Sequence, residues 1–274
     1  MRILHPTDFS HTAELARVLA LDLTARLSGH LHVVHVQHRF MEGSGRPYLS
    51  TQLYQISPDL QRRLEQERQL ETKALRERLA HLAEGDATGE LVWGEPLAEL
   101  LRISLEHDLV VMGAHGQSPF DEAFLGGTAG RLVRRTTTPV LTVRQQSKVT
   151  EVRRLLVATD FSEAAAGAWD FASRLAATGG LKLVLAHVIE GRGASDTAVA
   201  DERLEALSAG KADRIVVRKG NPIEVLPQIA EDVGADAVVV GLRRHGTIAG
   251  LIMGSRADAL VRSSPVPTLC VPLR

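Results

Sequence analysis

The sequence predicts an α/β protein of two tandem domains, each a five-stranded parallel sheet with helices on both faces. Three observations carry that prediction. Short apolar runs alternate with helical stretches along the chain, and such alternation builds a parallel sheet covered on both faces. The runs, of which Leu109-Val-Val-Met112 is typical, lack polar alternation, so both of their faces are buried. The pattern also restarts after a short polar linker, Gln145 to Thr150. Leu155-Leu-Val-Ala-Thr-Asp-Phe-Ser162 repeats Ile3-Leu-His-Pro-Thr-Asp-Phe-Ser10 at an offset of 152 residues, and His187-Val188 repeats His35-Val36. The expected domains are residues 1–145 and 151–274.

In order, Arg2-Ile-Leu4 is a short strand that stops at Pro6-Thr7-Asp8-Phe9-Ser10. Ser10 or Thr12 can cap the helix that follows, Ala13 to Leu27, with apolar positions at Leu15, Val18, Leu19 and Leu23. Leu31 to Val36 is a second strand and Gln37 to Ser57 a loop. Pro58 to Ala83 is a long amphipathic helix whose Glu/Arg pattern over 61–78 reads as a solvated face with i,i+4 pairing. Glu90-Leu-Val-Trp93 is the third strand, Leu97 to Glu106 a helix, Leu109 to Met112 the fourth strand and Pro139 to Val143 the fifth. Asp236 to Gly241 answers Asp108 to Gly113, and Pro267 to Val271 answers Pro139 to Val143, both at an offset of 128. The fall from 152 to 128 removes 24 residues from the second half, so its second helix shrinks to about Thr197 to Leu207.

Composition narrows the function. With 32 basic and 33 acidic side chains the net charge is −1, which marks no surface for nucleic acid or an anionic membrane. The single cysteine, Cys270, rules out an internal disulfide framework, fits a reducing compartment, and reads as a packed strand residue. No apolar run reaches the ~18–20 residues of a membrane span, and MRILHPTDFS lacks the apolar core of a signal peptide. A soluble, cytoplasmic chain is expected. His30, His32, His35 and His38 suggest a metal, but no third and fourth ligand follows at a recognisable spacing. No triad, cleft carboxylate pair or P-loop lysine is present.

In an open parallel sheet, ligands bind beyond the carboxyl ends of the strands. Three elements of the first half converge there: Pro6-Thr7-Asp8, Val36, and the stretch from Met112-Gly113 through Thr128. Gly113, Gly116, Gly126 and Gly127 allow close backbone approach, and a helix beginning near Thr128 favours an anion. The same stretch also reads as a turn and an N-cap. Asp8 offers a carboxylate to a ribose hydroxyl or a divalent metal, Val36 and Met112 offer apolar walls, and exposed His115 can reach phosphates.

PTDFS at the first strand, HV at the second and G-x2-G-x9-G before a helix resemble the universal stress protein family. The match covers nearly the whole chain twice, as in the tandem members. That resemblance implies a flavodoxin-like, adenine-nucleotide-binding type of domain, with fifth strands that pair the two halves as a pseudo-dimer. A dimer of the whole chain and an unidentified protein partner are further expectations. It implies ATP, with Mg²⁺ accompanying it near Asp8. Thr7 and Asp8 would lie near adenine and ribose, Val36 along the base, and Gly113, Gly116, Gly126, Gly127 and Thr128 around the phosphates.

The family pattern has Ser or Thr where this chain has Gly127, one place before Thr128, so one hydroxyl donor is missing. A lost hydrogen bond costs about 0.5–1.5 kcal/mol, which weakens binding without abolishing it. In the second half Thr159, Asp160, Val188, Gly241, Gly254 and Ser255 are in place, but Arg244 stands where Gly116 does. The first half is therefore the expected ATP site and the second an altered one. A stress-response protein using ATP as a regulatory or structural ligand follows, with at most weak hydrolysis. A scaffold that has lost nucleotide binding is the alternative, and an ATPase or nucleotidyl-transfer enzyme rests on fold analogy alone.

Overall fold

A short apolar strand closed by a hydrogen-bonding turn is the unit from which this chain is built, and it begins at the second residue. β1 (Arg2–Pro6) buries Ile3, Leu4, His5 and Pro6. It leads into α1 (His11–Arg26), capped by Ser10, whose hydroxyl accepts from Ala13 N–H at 3.2 Å. β2 (His30–Gln37) is followed by α2 (Pro58–Leu82), β3 (Thr88–Trp93), α3 (Pro96–Ser104), β4 (Leu109–Gly113), α4 (Gly127–Arg135) and β5 (Val140–Val143). The second half repeats the order: β6 (Arg154–Ala158), α5 (Glu163–Gly179), β7 (Lys182–Ile189), α6 (Asp196–Ser208), β8 (Arg214–Lys219), α7 (Pro222–Val233), β9 (Ala237–Leu242) and β10 (Thr268–Pro272). This computed structural model describes residues 1–38, 58–83, 85–114, 127–190, 196–243, 259–262 and 264–273.

The strands form one sheet in the order β3-β2-β1-β4-β5-β10-β9-β6-β7-β8. Every pair within a half is parallel, as the α/β alternation predicts. The two fifth strands meet in the middle and run antiparallel, with Thr142, Leu141 and Val140 opposite Thr268, Leu269 and Cys270. The expected pair of parallel sheets is thus fused into a single mixed sheet through the predicted seam.

The period-two pleat divides the strand side chains between two cores. On one face Leu4, Val34, Val110, Val140, Leu156, Val238 and Cys270 pack beneath α3, α4 and α7. On the other, Ile3, Val33, Leu109, Leu141, Leu155, Val239 and Leu269 pack beneath α1, α2, α5 and α6. Both cores run across the seam. Cys270 is 1% exposed, and burial pushes its thiol up to about 12, so it is the packed strand residue expected and no nucleophile.

Within α2 the residues from Arg62 to Glu71 are exposed all round, whereas Leu79, near the other end, is buried. The helix therefore docks by its C-terminal half. Among the described residues no helix is long and apolar enough to cross a membrane.

Candidate functional site

The strand order in each half reverses between its first and fourth strands, β1 beside β4 and β6 beside β9. Such a reversal opens a crevice at the carboxyl ends, where crossovers leave to opposite faces. Pro6, Thr7 and Asp8 leave the end of β1 on one side of it, and Met112 and Gly113 end β4 on the other. Half-buried Val36, near the end of the adjacent β2, packs on the same core as buried Met112. In the second half Thr159 and Asp160 follow β6, Gly241 lies at the end of β9, and Val188 takes the place of Val36. Gly127 and Thr128 open α4, whose Ala129, Leu132 and Val133 join that core. Thr128 lies inside the first turn of this helix. His115, Gly116, Gly126, Arg244, Gly254 and Ser255 lie outside the described residues.

Side chains of the turn itself shape the edge of the crevice. Thr7 N–H donates to Val34 O at 2.8 Å, which continues the ladder one residue past β1. Thr7 Oγ1 then accepts from Phe9 N–H at 3.0 Å and Asp8 Oδ1 from Ser10 N–H at 3.0 Å. These successive side-chain turns wind the chain tightly, with Phe9 at φ 60°, a left-handed conformation that a bulky residue rarely adopts. The second half reproduces every feature: Phe161 N–H to Thr159 Oγ1 at 3.0 Å, Ser162 N–H to Asp160 Oδ1 at 3.0 Å, and Phe161 at φ 61°. Asp8 and Asp160 thus act as turn carboxylates as well as candidate ligands.

Gly113 and Gly241 also have a packing reason. A Cβ on Gly241 would lie 2.2 Å from Ala164 O, and one on Gly113 would lie 3.1 Å from the Thr12 carbonyl carbon. The N-termini of α5 and α1 press onto the strand ends there, so these glycines serve helix packing.

An ion pair marks the second turn. Arg243 leaves the end of β9 and places Nη2 3.4 Å from Asp160 Oδ2. Burial alone would raise the Asp160 carboxyl, but the hydrogen bonds from Ser162 and the Arg243 charge outweigh it and hold the group below its ordinary value. An internal cation therefore faces the second candidate carboxylate.

Sequence reasoning missed the layer beneath the turn. The ring of Phe9 lies against His35, centroids 4.7 Å apart, and the Arg78 guanidinium sits 4.0 Å from the centre of the same ring. His35 Nδ1 donates to Thr7 O at 2.8 Å. Phe161, His187, Arg203 and Thr159 repeat the arrangement at 4.5, 3.9 and 2.8 Å. His35 and His187 are packed and hydrogen-bonded, whereas Arg78 corrects the reading of 61–78 as a purely solvated face. A signal was present: Arg78-Leu-Ala-His-Leu82 and Arg203-Leu-Glu-Ala-Leu207 repeat at an offset of 125.

The described histidines of β2 pair with neighbours. His32 Nδ1 lies 3.2 Å from His107 Nε2 and its Nε2 lies 3.0 Å from Glu90, while His30 pairs with Thr88. Among the described residues no group of three or more His, Cys, Asp or Glu is arranged to hold a metal.

The family model of the universal stress proteins matches this chain twice, over residues 1–144 and 151–272. A universal stress protein of Mycobacterium tuberculosis is 30% identical over 203 residues, 66% of this chain and 67% of the relative. One from Methanocaldococcus jannaschii is 28% identical over 156 residues, 53% of this chain and 96% of the relative. Among solved structures, a universal stress protein from Archaeoglobus fulgidus aligns with a TM-score of 0.70 at 21% identity, covering 100% of this chain and 98% of its own. These likenesses agree with the doubled strand order and the doubled Thr-Asp-Phe-Ser turn, and the chain belongs to the universal stress protein family.

Proposed function

We propose that this chain is a cytoplasmic stress-response protein that binds ATP, with Mg²⁺, as a regulatory or structural ligand in its first half. One observation carries the reading most of the way. Asp8, Val36 and Met112 all lie at or just past the carboxyl ends of neighbouring strands β1, β2 and β4, which supports a carboxylate and apolar walls along one edge of the sheet. The ligand's base would lie against Val36 and Met112, and its ribose hydroxyls or cation would face Asp8. The N-terminus of α4, at Gly127 and Thr128, supplies N–H groups and a positive dipole end suited to phosphate. The crevice offers no lysine or arginine among Pro6–Ser10, Val36, Met112–Ala114 and Gly127–Gly130, so hydrolysis would be slow.

A scaffold that no longer holds nucleotide is the second reading. The Arg243–Asp160 pair favours it for the second half, because a ligand cation or ribose would have to displace an internal partner.

Calorimetric titration of Mg·ATP into protein stripped of nucleotide tests both readings. One site per chain, lost in Gly116→Arg and kept in Arg244→Gly, is expected for first-half binding. No heat in the stripped protein, and no nucleotide released from it on denaturation, would leave the scaffold reading standing. A universal stress protein solved in complex with cAMP makes that cyclic nucleotide the competing probe.

A further inference from the structure

The stacks under the two turns are alike, although the helices that complete them are not. Arg78 lies on a 25-residue helix and Arg203 on one of 13 residues, yet the guanidinium-to-ring distances are 4.0 and 3.9 Å. Against each ring the imidazole sits at 4.7 or 4.5 Å and donates to the threonine carbonyl at 2.8 Å. The ring so enclosed belongs to the left-handed residue between Asp and Ser. A left-handed phenylalanine relaxes to an ordinary conformation unless its side chain is held. Relaxation there would swing Asp8 and break its bond to Ser10.

The first half adds a second tie. His35 Nε2 lies 3.2 Å from Gln37 Oε1, and the Gln37 amide donates to Glu71 at 3.2 Å. Glu71 and Arg78 are seven residues apart, two turns along one face of α2. In the second half Ile189 replaces Gln37, and this tie cannot form. Helix α2 therefore meets this region at two points, Phe9 of the β1 turn and Gln37 at the end of β2.

We propose that Arg78 is a positioning residue for the first-half ligand site: through Phe9 and His35 it holds Thr7 and Asp8 in binding geometry, and so couples the docking of α2 to ligand affinity. The inference rests on the nucleotide reading of that site. Coupling of this kind is reciprocal, so ligand binding in turn tightens α2 on the sheet.

The test uses the full chain as wild type, Arg78→Ala, Arg78→Lys and Arg63→Ala, the last an exposed arginine on the same helix. Hydrogen exchange of the Phe9 and Ser10 amides and the His35 ring resonances are read without ligand, and Mg·ATP affinity is read separately. Arg78→Ala is expected to speed exchange at both amides about tenfold, shift the His35 resonances and weaken ATP by about three- to tenfold, the range of a partly desolvated cation–π contact. Arg78→Lys should restore most of each effect, and Arg63→Ala should change none. Unchanged amides in Arg78→Ala, with circular dichroism showing a folded protein, overturn the stack as a clamp. Faster amides with unchanged ATP affinity overturn the positioning role. Failure of the wild type to bind ATP overturns the nucleotide reading, and the ligand-free exchange still decides whether the clamp exists.

Discussion

Thr7 to Ser10 and Thr159 to Ser162 make the same hydrogen bonds: to Phe N–H at 3.0 Å, to Ser N–H at 3.0 Å, to the helix at 3.2 Å and from histidine at 2.8 Å. The residues that surround them differ. His5 under the first turn is Val157 under the second, Gln37 is Ile189, and Asp160 faces Arg243. Each of these bonds closes within three positions or onto the adjacent strand, and in both halves a histidine and an arginine packed on the phenylalanine complete the arrangement. What the turn is good for is set by groups that arrive from elsewhere in the chain. The two halves thus share a frame and diverge in the side chains around it.

The largest expected break in that parallel comes from Gly241→Ala. Its new Cβ would lie 2.2 Å from a backbone oxygen, whereas the one in Gly113→Ala would lie 3.1 Å from its nearest atom. Overpacking against backbone costs about 1–3 kcal/mol, so urea unfolding should show Gly241→Ala at or above the top of that range and Gly113→Ala near the bottom. Equal losses would mean that α1 and α5 press on the sheet alike.

Next in size is His5→Val, which copies the second half into the first. His5 is fully buried, Nδ1 donates to Val111 O at 2.9 Å, and Nε2 has no partner among the described residues. Burial is the main cause that lowers its pKa to about 4. A histidine with a lowered folded value binds its proton more readily when unfolded, so its neutral fold is favoured above pH 6.5 and stability is lost as pH falls from 6.5 towards 4. The loss is about 3 kcal/mol at the acid end, from ~1.4 kcal/mol per unit. Unfolding at pH 7 and pH 4 should show that loss in the wild type and not in His5→Val; equal pH dependence would remove His5 as the acid-sensitive group.

The smallest effect belongs to Arg243→Ala. Both partners of its ion pair are more than half exposed, and such pairs contribute about 0–1 kcal/mol. Stability should change by less than ~0.5 kcal/mol, while the Asp160 carboxyl, followed by NMR titration, should rise. An unmoved Asp160 would mean that the Ser162 bonds alone hold it down.

Most of the frame could be read from the sequence because it depends on local pattern. Leu109-Val-Val-Met112 had to be a strand buried on both faces, and the doubled Thr-Asp-Phe-Ser marked both turns. The seam at Pro139–Val143 and Pro267–Val271 followed from the family resemblance. The packing of Gly113 and Gly241 against Thr12 and Ala164 was hidden, since glycine before a loop suggests ligand approach and only three-dimensional proximity shows a helix in the way. Arg78 was hidden for a related reason: an arginine on a charged helix looks solvated until the aromatic ring beneath it is known. Arg243 lies beside the position that sequence alignment singled out, and only its reach to Asp160 gives it meaning.

The antiparallel meeting of β5 and β10 has a directional consequence. Strands within each half are parallel to their own fifth strand, so the carboxyl ends of the two halves point to opposite rims of the sheet. The helices that flank the two crevices still share one core, which fixes a pseudo-dyad perpendicular to the sheet. A molecule seated on one rim cannot touch a molecule seated on the other. The chain is in effect a two-headed plate whose mouths look away from each other, joined through the paired β5 and β10 and the two cores that cross that seam.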